Sequence, residues 1–275
     1  MRCAWKELIS ILPIRLRDEV DRAGKIHTEE LRLRINSPPE LVMCGERIWL
    51  NDIISSEDLS FIINTASQYS PWNAATVSQG YITAPGGHRI GICGDAICKN
   101  GHFEGIRTPT SLCIRVARDF PGIADAVETG FGSLLILGAP GWGKTTLLRD
   151  LARKISQKEQ ITVLDERKEL FPAGIERGVD MDVMQGCPKV SGIEMVLRTM
   201  GPAWIAVDEI TAEKDSLALL HASNCGVRLL ASAHASSFED YRKRPIYQPL
   251  ISHGVFDTVL VLRKDRSFYW ERIKK

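Results

Sequence analysis

Residues 138–146 read GAPGWGKTT, a stretch that matches the pattern GxxxxGK[ST] at every required position. A short apolar run, SLLIL, precedes it at residues 133–137. After it, through Ile155, leucines and isoleucine recur at helical spacing. The sequence therefore predicts a strand, a glycine-rich loop and a helix in succession, which is the context that this pattern requires.

The residue types in this loop suit the phosphate chain of a nucleotide. Glycines let the loop turn without side-chain clashes, so that backbone N–H groups converge on phosphate oxygens at the helix N-terminus. We expect Lys144 to reach the β- and γ-phosphates and the Thr145 hydroxyl to ligate Mg²⁺. The alternative is a glycine-rich turn that matches the pattern without binding a ligand. The expected nucleotide contacts are Gly138, Ala139, Pro140, Gly141, Trp142, Gly143, Lys144, Thr145 and Thr146.

The composition of the whole chain restricts the classes of protein to consider. Its 275 residues suffice for two modest domains, and a net charge of +1 argues against a dominant attraction to nucleic acid. The seven cysteines include no CxxC pair, which indicates reduced thiols rather than disulfides or a zinc site. No window approaches ~18 consecutive apolar residues, and the N-terminus does not read as a signal peptide. We therefore expect a cytoplasmic protein, soluble or peripheral to a membrane, with no membrane span of its own.

The N-terminal part of the chain predicts a separate domain. Two amphipathic helices, an alternating strand at residues 30–35, a hairpin and a third helix are expected first. Residues 80–118 contain short segments rich in β-branched residues and punctuated by glycine, which predicts an antiparallel sheet. The expected division is an α+β domain at residues 1–118, a linker with a short helix at residues 119–130, and a larger domain at residues 131–275.

In the larger domain, apolar runs alternate with helical segments. Beyond the strand before the glycine-rich loop, core strands are predicted at residues 161–165, 204–208 and 227–232. A closing hairpin is expected at the C-terminal end. This alternation is typical of an α/β fold with a mostly parallel sheet covered on both faces.

Several of these strands end in polar residues that suit phosphate chemistry. Asp208 and Glu209 close a buried strand, at the edge where an open α/β sheet binds its ligand. We expect Asp208 to hold Mg²⁺ through water and Glu209 to orient or deprotonate the attacking water; an exposed acidic turn is the alternative. Glu166 should reach the same edge and help to place the metal or water, unless it belongs to a solvated acid–base cluster. His234, after the fourth strand, is expected to report the nucleotide state through a hydrogen bond, unless its role is structural.

Together these motifs resemble the type II/IV secretion and pilus ATPases, a RecA-like hexameric family. The glycine-rich loop alone would indicate a vast superfamily, whereas GCPK and ELRLR are far more specific. Nearly the whole chain takes part in the resemblance, through EELRLRINSPPELV (29–42), GGHRIGICGDAI (86–97), IRTPTSLCIRVAR (106–118), GAPGWGKTT, VLDERKEL (163–170), the stretch from DVMQGCPK to AVDEI (182–210) and SAHA (232–235).

The resemblance implies a RecA-like ATPase domain behind a smaller α+β domain, with ATP and Mg²⁺ bound between domains and subunits of a homo-hexameric ring. It also implies that N-terminal arginines reach the phosphates; the candidates are Arg89, Arg107 and Arg115, and ordinary strand-face arginines are the alternative. Thr211 and Ala235 depart from the family, which usually has glycine at these positions.

The most similar members serve endospore-forming bacteria. This implies membrane-embedded sporulation channel proteins as partners, and a peripheral position on the mother-cell side facing the forespore.

Three functions remain open from the sequence. The first is an ATP hydrolase whose domain closure performs work on a membrane-embedded partner. The second is an ATP-gated assembly scaffold with little hydrolysis, and the third is a DNA motor, which the near-neutral charge disfavours. For the hydrolase, the expected catalytic residues are Glu209, Lys144, Glu166, His234, Arg89, Arg107 and Arg115.

Overall fold

The computed structural model describes residues 2–24, 27–43, 45–67, 80–100, 102–130, 132–172 and 174–272. The chain forms two compact units. The N-terminal unit consists of Met1–Asp119 and Pro172–Ile175, and the C-terminal unit consists of Phe120–Phe171 and Glu176–Lys275. The glycine-rich loop therefore belongs to the C-terminal unit.

An antiparallel sheet forms the centre of the N-terminal unit. The strands of this unit are β1 (Arg2–Cys3), β2 (Thr28–Arg34), β3 (Glu40–Met43), β4 (Glu46–Trp49), β5 (Tyr81–Thr83), β6 (Arg89–Lys99), β7 (His102–Arg115) and β8 (Arg118–Asp119). The six-stranded sheet has the order β4, β3, β2, β7, β6, β5, and β1 pairs separately with β8. In β2, Leu31 and Leu33 are buried while Glu30, Arg32 and Arg34 occupy the opposite face, so one side of the sheet is apolar and the other is charged.

The helices of this unit supply the other half of its core. They are α1 (Trp5–Ile11), α2 (Ile14–Ala23) and α3 (Ser56–Ala66). Helix α3 begins after its N-cap, Ser55, whose Oγ accepts the N–H of Asp58 at 3.2 Å while Asp58 Oδ2 accepts the N–H of Ser55 at 2.8 Å. Leu8, Leu16 and Ile62 pack into the same apolar cluster as the sheet leucines.

A mostly parallel seven-stranded sheet organises the C-terminal unit. Its strands are β9 (Leu134–Gly138), β10 (Ile161–Asp165), β11 (Met181–Gln185), β12 (Trp204–Ile210), β13 (Arg228–His234), β14 (Thr258–Leu262) and β15 (Phe268–Arg272). Their order is β11, β10, β12, β13, β9, β14, β15. Only the pairing of β14 with β15 is antiparallel. The predicted core strands are present, and β11 is an additional strand at one edge.

Helices connect these strands and cover the sheet. Those of the described residues are α4 (Lys144–Ser156), α5 (Lys189–Thr199), α6 (Glu213–Asn224), α7 (Phe238–Lys243) and α8 (Gln248–Ser252). Every residue of β9, β10 and β14 is buried, as expected for parallel strands that are covered on both faces. Because β9, β10, β12 and β13 run parallel, their carboxyl ends meet at one edge of the sheet.

The prediction of a short helix within residues 119–130 is wrong. All of these residues are described, and residues 121–126 form turns instead. Asp150 Oδ2 of α4 accepts the N–H of Ala124 at 2.9 Å. Lys154 Nζ, also of α4, donates at 3.1, 2.8 and 2.7 Å to the carbonyls of Ala124, Asp125 and Val127. Side chains of α4 therefore take the backbone groups that a helix would have paired internally.

The structure offers no described helix that is both long enough and apolar enough to cross a membrane.

Candidate functional site

A pocket of ≈ 330 Å³ lies at the carboxyl edge of the parallel sheet. Its walls come from the loop after β9, the first turn of α4, and the ends of β12 and β13. The lining residues are Pro140, Gly141, Gly143, Lys144, Thr145, Thr146, Asp208, Glu209 and His234. The structure thus brings together six of the nine loop residues singled out in the sequence with both acids of β12 and the histidine of β13; Gly138, Ala139 and Trp142 are not among the lining residues.

Backbone conformation explains two of the loop glycines. Gly141 and Gly143 have φ values of 78° and 98°, a region that L-residues with side chains rarely adopt. An added Cβ would meet nothing within 4 Å at either position, so the requirement concerns the backbone rather than space. Gly143 is also the N-cap of α4, whose first N–H groups have no partner within the helix. The pocket therefore sits at the positive end of this helix, where anions bind favourably.

Lys144 is buried at the floor of the pocket. Its Nζ donates to the carbonyl of Ala139 at 3.1 Å and to Nδ1 of His234 at 2.9 Å. Burial lowers the pKa of Lys144, and the negative charges of Asp208 and Glu209 oppose this shift. Both direct partners are neutral acceptors. An anionic ligand in the pocket would stabilise the ammonium more strongly than either of them.

The two expected metal ligands are adjacent. Thr145 Oγ1 donates to Asp208 Oδ2 at 2.9 Å, and Ser232 Oγ donates to Asp208 Oδ1 at 2.7 Å. Among the described residues there is no group of three or more His, Cys, Asp or Glu side chains that could hold a metal ion. Mg²⁺ is usually bound by one or two protein oxygens together with phosphate and water, and Thr145 with Asp208 fits that donor set.

Glu209 lies at an irregular point of β12. Its φ is 50°, and the pairing of β12 with β13 shifts register between Val207 and Ile210. In a regular strand, residues 208 and 209 would face opposite sides, whereas this irregularity brings both side chains to the pocket. The N–H of Glu209 donates to Ser232 Oγ at 3.0 Å, which fixes the irregular backbone.

The Glu209 carboxylate is held by two basic side chains. Its Oε1 lies 3.0 Å from Nε2 of His234, and its Oε2 lies 3.3 Å from a guanidinium nitrogen of Arg167. Since the Lys144 ammonium donates a hydrogen bond to Nδ1 of His234, the ring fits the tautomer that carries its proton on Nε2. In that tautomer the Nε2–H donates a hydrogen bond to Glu209. His234 therefore connects the loop lysine to the acid of β12.

Glu166 directly follows β10, at the carboxyl edge of the sheet. It does not line the pocket; its Oε2 lies 2.5 Å from Nζ of Lys189. Asp165, the residue before it, is buried and accepts three backbone N–H groups, those of Glu169, Leu170 and Phe171, at 2.7 to 3.1 Å. The acids at the end of β10 therefore shape and anchor the following loop.

The three candidate arginines are exposed strand residues of the N-terminal unit. Arg89 of β6 and Arg115 of β7 are direct cross-strand partners, and like charges at such positions repel. The Arg89 guanidinium lies 5.2 Å from the centre of the Tyr81 ring, and Arg115 Nε lies 3.7 Å from Glu30 Oε1. Arg107 precedes Arg115 by eight residues, or roughly 26 Å along an extended strand.

Two residues of this region were not expected from the sequence. Ser232 contacts both acids of β12, and its position two residues before His234, on the same face of β13, was an available signal. Lys189 pairs with Glu166, and no residue pattern in the sequence indicates that contact.

Comparison with known proteins identifies several relatives. The model of the family described as "Sporulation stage III, protein AA" matches residues 4–268. Stage III sporulation protein AA of Bacillus subtilis (strain 168) is 37% identical over 283 residues, covering 95% of this chain and 92% of that protein. The resemblance drawn from the motifs is therefore confirmed.

Two solved structures share the fold. The ATPase DotB of Legionella pneumophila has a TM-score of 0.62 at 18% identity, covering 95% of this chain and 80% of its own. The pilus retraction motor PilT, determined with bound ADP, has a TM-score of 0.62 at 14% identity, covering 92% and 81%. At these identities, 18% and 14%, the likeness concerns the fold alone.

Proposed function

The chain belongs to the family of sporulation stage III protein AA, and on that premise we propose that it is an Mg²⁺-dependent ATP hydrolase acting in endospore formation. The observation that carries the proposal is the convergence of Lys144, Thr145, Asp208 and Glu209 on one pocket at a helix N-terminus. The fold shared with secretion and pilus ATPases supports the same reaction class.

Each pocket residue has a distinct part in this proposal. The N–H groups of the loop and the Lys144 ammonium bind and orient the phosphate oxygens of ATP. Thr145 and Asp208 hold Mg²⁺, which when bound neutralises charge that develops on the transferred phosphoryl group. Glu209 orients or deprotonates the attacking water. His234 reports the nucleotide state, because its hydrogen bond with Lys144 changes when Lys144 binds the phosphate.

Of the N-terminal arginines, Arg89 and Arg115 are the pair that we propose for the nucleotide phosphates. Their side chains are neighbours on one face of the sheet, so one anionic group can contact both. Arg107 lies too far along β7 to share one phosphate group with them, so we assign it no part in that contact.

The assembly and partners are proposed from the family. The two units would be two domains joined near residues 119–130, and the active form would be a homo-hexameric ring. Its partners would be membrane-embedded proteins of a secretion-like channel, with the ring in the cytoplasm at the mother-cell side of the membrane.

An ATP-gated scaffold with little hydrolysis is the second candidate. The observation in its favour is that both oxygens of the Glu209 carboxylate already have basic partners, His234 and Arg167. Such a carboxylate activates water only after it is released from at least one of them.

Steady-state ATP hydrolysis, measured together with light-scattering mass in Mg-ATP, tests both candidates. The hydrolase requires turnover by the assembled wild type and its loss in Lys144→Ala and in Glu209→Gln. Lys243→Ala, which alters an exposed lysine of α7 whose only contact described is an ion pair one helical turn away, is the matched control and should retain turnover. Full activity in Lys144→Ala would contradict the assigned site, and assembly on ATP without turnover would favour the scaffold.

A further inference from the structure

Lys189 occupies a position that is electrostatically unfavourable for a lysine. It is the first residue of α5, after Pro188 at the N-cap, and only 7% of its surface is exposed. A cation at a helix N-terminus is repelled by the helix dipole, and burial removes its hydration. The residue belongs to the GCPK stretch, to which the proposed nucleotide chemistry gives no part.

Two carboxylates compensate this buried charge. Lys189 Nζ lies 2.5 Å from Oε2 of Glu166 and 3.9 Å from Oδ2 of Asp215. Glu166 follows β10 directly, and Asp215 lies in the first turn of α6, after β12. Lys189 therefore connects the segments that follow three neighbouring strands, β10, β11 and β12.

Each of these two carboxylates links Lys189 to the segment that contains Glu209, Glu166 through its chain neighbour and Asp215 through hydrogen bonds. Arg167, the chain neighbour of Glu166, contacts the Glu209 carboxylate at 3.3 Å. On the other side, Asp215 Oδ2 accepts the N–H and the hydroxyl of Thr211, each at 3.0 Å, and Thr211 is only two residues beyond Glu209. The side chain of Glu209 thus contacts the chain neighbour of Glu166, and the backbone after Glu209 is hydrogen-bonded to Asp215; Lys189 pairs with both of these carboxylates.

Thr211 strengthens the second connection. Asp215 Oδ2 also accepts the N–H of Ala212 at 3.2 Å, so one carboxylate oxygen gathers three donors from two consecutive residues. A glycine at position 211 would keep the N–H but lose the hydroxyl. Threonine therefore ties the backbone beyond Glu209 more firmly to the residue that Lys189 contacts.

We propose that Lys189 is a positioning residue that fixes Glu209 for its action on water. The proposal rests on the hydrolase function proposed above. Lys189 does not line the pocket, so it acts through the loops rather than on the nucleotide. Its loss should impair the chemical step while leaving nucleotide binding intact.

The test uses the full chain with Lys189→Met, which keeps the length of the side chain and removes its charge. We expect kcat to fall about 10- to 100-fold, as for a displaced reacting group, with KM and the affinity for a fluorescent ATP analogue within about twofold. We also expect faster hydrogen exchange at the amides of residues 209–212. Lys243→Met is the matched control, because its partner Glu239 is exposed and is not among the residues that line the pocket.

Two further variants separate positioning from general destabilisation. Glu166→Gln weakens the same ion pair from its more exposed side and should shift kcat in the same direction, whether or not Lys189→Met folds well. Adding Lys189→Met to Glu209→Gln should lower the residual rate no further, because the effect passes through the Glu209 carboxylate.

Separate outcomes test the two proposals. If the assembled wild type has no turnover, the hydrolase function fails, and hydrogen exchange still decides the positioning role. Unchanged exchange at residues 209–212 in both single variants, or an equal loss of nucleotide affinity and kcat, would overturn the role assigned to Lys189.

Discussion

Ser232→Ala removes a side chain that contacts both acids of β12. Ser232 is fully buried; its hydroxyl donates to Asp208 Oδ1 at 2.7 Å and accepts the N–H of Glu209 at 3.0 Å. The substitution removes this partner from a carboxylate oxygen of Asp208 and from the backbone N–H of Glu209, both of which belong to half-buried residues. Asp208 keeps its hydrogen bond from Thr145, so its second oxygen remains satisfied.

The structure sets the size of the expected effect. A hydrogen bond to a charged group contributes about 1.5–3 kcal/mol to stability, and a neutral one contributes about 0.5–1.5 kcal/mol. Losing one of each should lower the free energy of unfolding of the C-terminal unit by about 2–4 kcal/mol. The irregular backbone at Glu209, with its φ of 50°, should also relax once its N–H is released. Hydrolysis should therefore fall together with stability.

Urea unfolding, monitored by hydrogen exchange in peptides from β12 and β13, measures this loss of stability within the C-terminal unit. Ser252→Ala in α8 is the matched control, because its exposed hydroxyl donates to the carbonyl of Gln248 at 2.7 Å and buries no group; we expect a change below about 0.5 kcal/mol. If Ser232→Ala is as stable as Ser252→Ala, the bridging role of Ser232 is refuted.

Two other predictions concern the loop and the N-terminal unit. Gly143→Ala and Gly226→Ala both place a side chain at positive φ, 98° and 84°, without a clash. Each substitution should therefore lower the free energy of unfolding in urea by about 1 kcal/mol. Only Gly143→Ala should weaken the binding of an ATP analogue, and equal binding by the two variants would contradict the loop assignment. Burial lowers the pKa of His88, so the unfolded chain binds a proton at this residue before the folded chain does. The neutral ring therefore stabilises the fold above about pH 6.5. As the pH falls below that value, the free energy of unfolding should decrease. That slope should persist in a variant of exposed His27 and disappear in His88→Gln; an unchanged slope in His88→Gln would assign it to another group.

The glycine-rich loop and the helix after it could be predicted from the sequence because this part of the pocket is local. The strand, loop and helix are consecutive in the chain, and the residue types of the loop follow from backbone conformation at Gly141 and Gly143. Asp208 and Glu209 could also be placed, since buried parallel strands end at a common edge. What the sequence did not indicate is that β12 is irregular there, which brings both acids to one side.

The position of the Glu166 side chain could not be predicted, because it depends on contacts with residues that are distant in sequence. Asp165 binds the N–H groups of residues 169–171, and Lys189, more than twenty residues away, takes the Glu166 carboxylate. Neither contact has a periodic pattern. The edge strand β11 was also not predicted from the sequence. All five of its residues are half-buried, and its sequence, MDVMQ, is not the apolar run that is typical of a central strand.

Tertiary contacts supply the half of the site that would act on water. Lys144 and Thr145 come from a single loop, whereas Glu209 is fixed by His234 and Ser232 from β13 and by Arg167 from the loop after β10. These three partners belong to strands on either side of β12. A displacement of the loop after β10 would therefore move the Glu209 carboxylate while the glycine-rich loop kept its shape, whereas a displacement of β13 would also disturb Lys144, which donates to His234. If the proposed function holds, nucleotide binding and turnover depend on partly separable contacts, and substitutions in the loop after β10 should alter turnover more than affinity.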